Sequence, residues 1–242
     1  MNFNSLKIFF RNVRKQKVVT VMNIFGLSLG MVFALLIWPW AIQEFSYDKF
    51  HRNGDHIYQV FMYYSYNDGG FNMPGVCSPL GVEAPKQLPE IERMCRIVSA
   101  SNVKVEVNHR YYEKNRVIMA DENFFDFFTF PLKSGEKTNV LNTLDGVVID
   151  ESTALLLFPG ENAIGKIITY DDKSWQVSGI MYDFPVNSHI QANIVVPLFD
   201  KSKNHSWDSD FNYNTYFQFQ NGTDKNQLYH YPLPFRGSSS CS

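Results

Sequence analysis

From Val18 to Gln43 the chain runs without a charged side chain, and apolar residues fill nearly every position. At about 1.5 Å per helical residue, Val18 to Ile42 would extend about 37 Å, more than the roughly 30 Å of a bilayer's hydrocarbon core. The pattern predicts one transmembrane helix over residues 18–42, spanning with some tilt. Beyond Glu44 the pattern shortens. Phe45, Tyr47, Phe50 and Tyr58 could line a helical continuation of the anchor, a stalk carrying Tyr47, Asp48, Phe50 and His51, which Asn53-Gly54-Asp55 would break.

Ile57 to Tyr66 then reads as a first strand, and Asn67-Asp68-Gly69-Gly70 as a turn. A helix is predicted from Ser78 to about Leu88, with Pro79 at a first-turn position where its missing N–H costs nothing and Pro89 as its stop. From Ile91 strands follow. Val103, Val105 and Val107 alternate with Lys104, Glu106 and Asn108, giving one buried and one wet face, and Arg110 to Met119 forms the return strand. Asp121 is a capping candidate for a short helix that packs Phe124, Phe125, Phe127 and Phe128 inward; so aromatic a run could also be a ligand platform, but core packing is the commoner use.

Further on, a strand at Gly146 to Ile149 leads into a helix from Asp150 to Phe158, capped by Asp150 or Ser152 and ended by Pro159-Gly160. Strands are expected at Lys166 to Tyr170, Ser174 to Met181 and Ile190 to Pro197, the first two joined by Asp171-Asp172-Lys173. Mixed helices and strands with short connections indicate an α+β fold.

Charge gives the anchor a direction. Lys7, Arg11, Arg14, Lys15 and Lys17 make residues 1–17 a basic arm without acidic residues, which places the N-terminus in the cytoplasm of a bacterial inner membrane and the main domain outside. A cleaved signal peptide fits less well, because the exit Trp38-Pro39-Trp40-Ala41-Ile42 is bulky and lacks small residues of the A-x-A kind. Trp38 and Trp40 suit the outer interface. Gly26 and Gly30 form a small-xxx-small face on which another helix could pack closely.

Composition adds exclusions. The net charge of −2 carries no footprint for nucleic acid, and 21 Phe with 13 Tyr argue for a packed domain. Cys77, Cys95 and Cys241 are scattered without C-x-x-C spacing, and six dispersed histidines indicate no metal site, although Cys77 and Cys95 could bridge in an oxidising compartment.

Gly160 to Lys166 fits seven places of the phosphate-binding loop G-x-x-x-x-G-K-[ST], but Ile167 stands where a hydroxyl must reach magnesium. A helix also precedes the segment and a strand follows, the reverse of what a phosphate loop requires. Ser152 and Ser188 lack the G-x-S-x-G elbow, and the proximity of Asp183, Ser188 and His189 in sequence says nothing of triad geometry. No catalytic residue and no cofactor is expected.

Four stretches together resemble the permeases of MacB-type, FtsX-like ABC transporters, in the form common in Bacteroidetes. They are Lys7 to Asn12 with Asn23 to Met31; Glu44 to His51 with Asp55 to Tyr58; Val148 to Ser152 running into Phe158-Pro159-Gly160 and Ile164-Gly165-Lys166; and Val177 to Ile180 with Tyr182 to His189. The resemblance covers roughly residues 4–220. It implies an N-terminal membrane helix, one of at least four in a complete permease of the family where this chain shows one anchor, followed by a two-lobed extracytoplasmic α+β core domain over 43–220, with an inserted lobe at about 138–198. It also implies a cytoplasmic ABC ATPase partner, a permease homodimer or partner permease, contact with membrane lipid, and mechanotransmission, in which ATP-driven motion passes through the membrane helices to the outer domain. Residues 221–242, with Pro232 and Pro234, depart from the family's pattern and suggest a truncated reading frame. A single-span extracytoplasmic binding or sensing module is the alternative; ligand-dependent stabilisation without an ATPase partner would distinguish it.

Overall fold

The computed structural model describes residues 11, 15–66, 69–198 and 211–223. Most of the basic arm, Asn67-Asp68 of the expected turn, and the tail from residue 224 with Cys241 lie outside the described residues. The chain divides between Tyr47 and Asp48 into two units.

The first unit is one helix, α1, Lys17–Phe45. Its apolar side chains are exposed all around, Val18 at 73%, Leu27 at 75% and Leu36 at 67% among them. A helix apolar on every face belongs in lipid or in a larger packed core, and within its own unit α1 has no such core. The helical continuation expected through Phe50 does not form. The Ser46 hydroxyl donates to the Gln43 carbonyl at 2.8 Å, and residues 46–50 are turn, with Asp48 in the left-handed region at φ +54°. One left-handed residue ends an α-helix, and a side chain bonding the last carbonyls competes with a further helical turn.

The second unit is built on a ten-stranded sheet. A 3-10 turn, Gly54–His56, leads into β1 (Ile57–Gln59), followed by the hairpin β2 (Met62–Tyr66) and β3 (Gly69–Met73), which forms a separate two-stranded sheet. β4 (Gly75–Val76) precedes α2 (Ser78–Gln87), and then come the long strands β5 (Ile91–Val107) and β6 (Arg110–Ala120). α3 (Phe124–Phe127), β7 (Leu132–Ser134), β8 (Gly146–Asp150), α4 (Glu151–Leu157), β9 (Ile167–Tyr170), β10 (Lys173–Met181), β11 (Ile194–Pro197) and β12 (Tyr213–Phe219) complete the order. Along the sheet the strands lie β1-β12-β5-β6-β11-β8-β10-β7, with β4 on β12 and β9 beside β10 and β5. Most pairs are antiparallel. The exceptions are β8 with β10 and, at the seam where the expected inserted segment meets the flanking strands, β6 with β11.

The phenylalanine run packs as expected from a core element: Phe124, Phe125, Phe127 and Phe128 are buried in one cluster with Cys95, Ile97, Ile118 and Tyr216. Its helix is shorter than the sequence suggests, and Asp121 is not its side-chain cap. The Asp121 carboxylate is taken instead by Arg96, at 3.1 Å from Nε and 2.9 Å from Nη2. Asp150 does cap α4, accepting from the Thr153 amide at 2.7 Å.

Cys77 and Cys95 are both buried and do not bridge to each other. The sheet keeps them apart. Cys95 lies opposite Tyr216 in the aromatic cluster, whereas Cys77 belongs to a cluster with Leu80, Ala84 and Phe217, and Phe217 follows Tyr216 onto the other face.

The glycine-rich segment before β9 turns its polar groups inward. The Gly165 amide donates to the Val177 carbonyl at 2.8 Å, the Lys166 amide to Ala163 at 3.0 Å, and Lys166 Nζ reaches Glu161 at 2.5 Å. Neither the amides nor the cation is left to cradle a phosphate.

Candidate functional site

The second unit begins with a turn that is fastened at once. Aspartate tolerates the left-handed backbone better than most residues, and at this φ Asp48 offers both its amide and its carboxylate to the loop 182–193. Its N–H donates to the Asn187 carbonyl at 3.0 Å. Its Oδ1 accepts the His189 amide at 3.1 Å, and its Oδ2 accepts from His189 Nδ1 at 2.7 Å. His189 Nε2 lies 3.0 Å from the Tyr216 hydroxyl. Burial, reinforced by Cys95 and Asp48, pushes the Tyr216 phenol far above its ordinary range. The phenol therefore stays protonated and shares a hydrogen bond with His189 Nε2, while the Asp48 carboxylate, an acceptor only, takes the proton of Nδ1.

Three residues on, His51 is driven into the aromatic cluster. It is 7% exposed, its Nδ1 donates to the Phe128 carbonyl, and the Phe130 ring meets it edge-on at 5.1 Å. Phe50 packs beside it, 5.7 Å from Phe130, and the Arg52 amide donates to Thr129 Oγ1 at 3.1 Å. His51 Nε2 is buried without a hydrogen-bond partner, and Asp48 Oδ1 at 3.9 Å is too far to serve as one. Burial lowers the His51 pKa, opposed by the Phe128 carbonyl and by Asp48, while His189 lowers it further. In the unfolded chain this imidazole takes up a proton near pH 6.5, and in the folded protein only at lower pH. The stability contributed by the neutral ring is thus intact above pH 6.5 and is lost as pH falls through the interval down to the folded value. Unfolding free energies measured by denaturant between about pH 7 and pH 5 should drop more steeply for the native chain than for His51→Gln; equal slopes would contradict this assignment.

The receiving loop is itself braced. Asp183 accepts the Ser152 amide at 3.1 Å and the Ser152 hydroxyl, Phe184 lies 4.4 Å from Phe130, and Gln191 Nε2 donates to the carbonyls of Pro185 at 2.7 Å and Ser188 at 3.0 Å. Asp183 binds Ser152 while His189 binds Asp48, so Asp183, Ser188 and His189 form no relay. What the arrangement can do is carry load, because two charge-assisted or buried contacts fix the first four residues of the unit to its core.

Of the residues singled out from sequence, Asp48, Phe50 and His51 come together here. Tyr47 belongs to the helical unit, where its amide donates to Glu44 at 3.4 Å. Gly26 and Gly30 lie one turn apart on α1, and a methyl group added at either would meet nothing within 4 Å. Sequence reasoning missed Tyr216 and the Phe128 carbonyl. The first is an unremarked strand tyrosine, and the second is a backbone group that no side-chain pattern announces.

Comparison with known proteins gives this geometry a family. No curated protein matches the chain. Solved structures share its fold, the following three among them. A domain of a protein described as a permease from Porphyromonas gingivalis has 22% identity and a TM-score of 0.64, over 74% of this chain and 78% of that one. The periplasmic region of MacB from Actinobacillus actinomycetemcomitans has 18% identity and a TM-score of 0.54, over 72% and 79%. The extracellular domain of the noncanonic ABC-type transporter YknZ from Gram-positive bacteria has 14% identity and a TM-score of 0.51, over 71% and 87%. The family described as the MacB-like periplasmic core domain matches residues 20–230, which take in α1, the Asp48 turn, the loop that receives it and every strand of the sheet, and the chain belongs to that family.

Proposed function

We propose that this chain acts as a permease component of a MacB-like ABC transporter, anchored in the inner membrane by residues 18–42 with its N-terminus cytoplasmic and its core domain outside. In this reading a separate cytoplasmic ATPase hydrolyses ATP, and the permease, as a homodimer or with a partner permease, converts that work into movement of the outer domain for export or extrusion. The catalytic groups, in this reading, belong to the ATPase. Gly26 and Gly30 give a neighbouring membrane helix room to approach.

The observation that carries the reading is the fastening at Asp48 and His51. A displacement delivered through the backbone at Tyr47 meets, within four residues, one carboxylate held by His189 and one imidazole held by Phe128. A loose linker at this position would absorb the motion; a fastened turn passes it on. Asp48→Ala removes the charge-assisted bonds to His189, each worth about 1.5–3 kcal/mol. Amide hydrogen exchange at residues 187–191 should then quicken about tenfold or more, and any nucleotide-dependent change in exchange of the outer domain, in membranes also containing the ATPase, should disappear. Persistence of that nucleotide response in the variant would refute the transmission role. Recovery of a cytoplasmic ABC ATPase with the chain from native membranes tests the partnership separately.

A further inference from the structure

The sheet face that carries the aromatic core changes character halfway along. On β5, Cys95 and Ile97 are buried among the phenylalanines, yet Ser99 and Ser101, the next residues of the same alternating series, are exposed. Register places their neighbours. Tyr216 lies opposite Cys95, Asn214 opposite Ile97, Gln59 opposite Tyr216, and Ile118 opposite Ser99, with Arg116 two residues before Ile118. Four adjacent strands therefore present Gln59, Asn214, Ser99, Ser101 and Arg116 on one face, beyond the edge of the core.

The segment His189 to Gln191 forms a wall over this face and encloses a cleft of about 340 Å³, within the range of small-molecule sites. The floor is Ile97 and the Tyr216 ring; every other strand residue lining it is polar. Among the described residues of the lining, Arg116 is the one formal cation and none is a carboxylate. Asp48 approaches His189 at Nδ1 and is already engaged there. The Arg116 backbone is fixed, its N–H donating to Asn193 Oδ1 at 3.2 Å and its carbonyl accepting from the Asn193 amide at 2.9 Å, while Asn193 is in turn held by Asp150 at 2.8 Å. Among the described residues its guanidinium makes no ion pair or hydrogen bond. Gln59 donates to Asn214 at 3.2 Å, which orients both amides and leaves further donors and acceptors for a ligand.

We propose that this cleft binds a small anionic ligand, its carboxylate or phosphate on Arg116 and its hydroxyl groups on Ser99, Ser101, Gln59 and Asn214. A planar guanidinium on a fixed backbone suits bidentate pairing with either anion, and the amides and serine hydroxyls suit a hydroxyl-rich body. The site does not require that the chain couple to an ATPase.

The test is calorimetric titration of the full chain in detergent micelles with three probes of one body: D-glucuronate, D-glucose 6-phosphate and D-glucose. Saturable binding of at least one acid, with the neutral sugar tenfold or more weaker, supports the site, and whichever acid binds identifies the anion. Arg116→Gln should weaken the acid tenfold or more while leaving the unfolding midpoint unchanged, since the side chain is exposed. Ser99→Val should weaken it severalfold with the charge intact. No saturation by either acid up to about 10 mM, equal binding of glucose, or undiminished binding to Arg116→Gln would each overturn the proposal.

Discussion

Asp121→Ala is expected to lower the domain's stability by about 3–5 kcal/mol, the cost of leaving a buried charge without its partner. Arg96 is 6% exposed, and Asp121 receives its backbone amide at 2.8 Å, its Nε at 3.1 Å and its Nη2 at 2.9 Å. Nη1 reaches Ser78 Oγ at 2.9 Å, so the guanidinium ties β5, the turn before α3 and the start of α2 together. Removing the carboxylate strands the cation beneath α2, with Gly81 so near the arginine stem that an added methyl would stand 2.8 Å from it. At about 2–4 °C per kcal/mol for a domain of this size, the unfolding midpoint should fall by about 10 °C. Asp126→Ala is the control. Its pair with Arg93 is 2.5 Å long, but the carboxylate side chain is 61% exposed, and such pairs contribute less than about 1 kcal/mol. Similar losses for the two variants would mean that Arg96 finds water when Asp121 is gone.

Phe128→Ala should cost about 3–5 kcal/mol in denaturant unfolding, from lost transfer energy and the cavity left behind. The ring is 1% exposed and meets Phe127 at 4.9 Å, Tyr216 at 5.0 Å and Phe124 at 5.3 Å. Its backbone carbonyl, the acceptor for His51, survives the substitution, whereas the ring's contact with the His51 imidazole at 5.5 Å is lost with it. Phe61→Ala, at a ring 52% exposed, should change stability by less than about 0.5 kcal/mol. A loss below about 1 kcal/mol for Phe128→Ala would show that neighbouring rings collapse into the space.

Period and punctuation in the sequence identify α1, α2, β5, β6, β8, α4, β9, β10 and β11, because each is a long apolar run, a clean alternation or a helix with a capping residue. β3, β4 and β7 escape such reading. β3 opens Gly69-Gly70, β4 is two residues long, and β7 carries Lys133 and Ser134; these segments are strands because a neighbour lies beside them. The early end of α1 is a similar case, since nothing in Tyr47-Asp48-Lys49 forbids a helix until Asp48 finds His189, 141 residues away. The entry turn was legible only as a resemblance. Its partners are a backbone carbonyl and a strand tyrosine, and chemistry assembled across such separations leaves no periodic trace.

The place of β12 bears on the order in which the chain can fold. The last strand among the described residues, it lies between β1 and β5, pairing Gln218 with both Ile57 and Arg93. Until Phe219 has been synthesised and delivered to the same compartment, β1 has no ladder to join and β5 keeps one open edge. Translation at about 5–20 residues per second leaves that edge waiting for seconds, in a topology whose long-range pairings are slow to close. A nascent chain of this architecture is therefore a natural client for holding chaperones until β12 arrives.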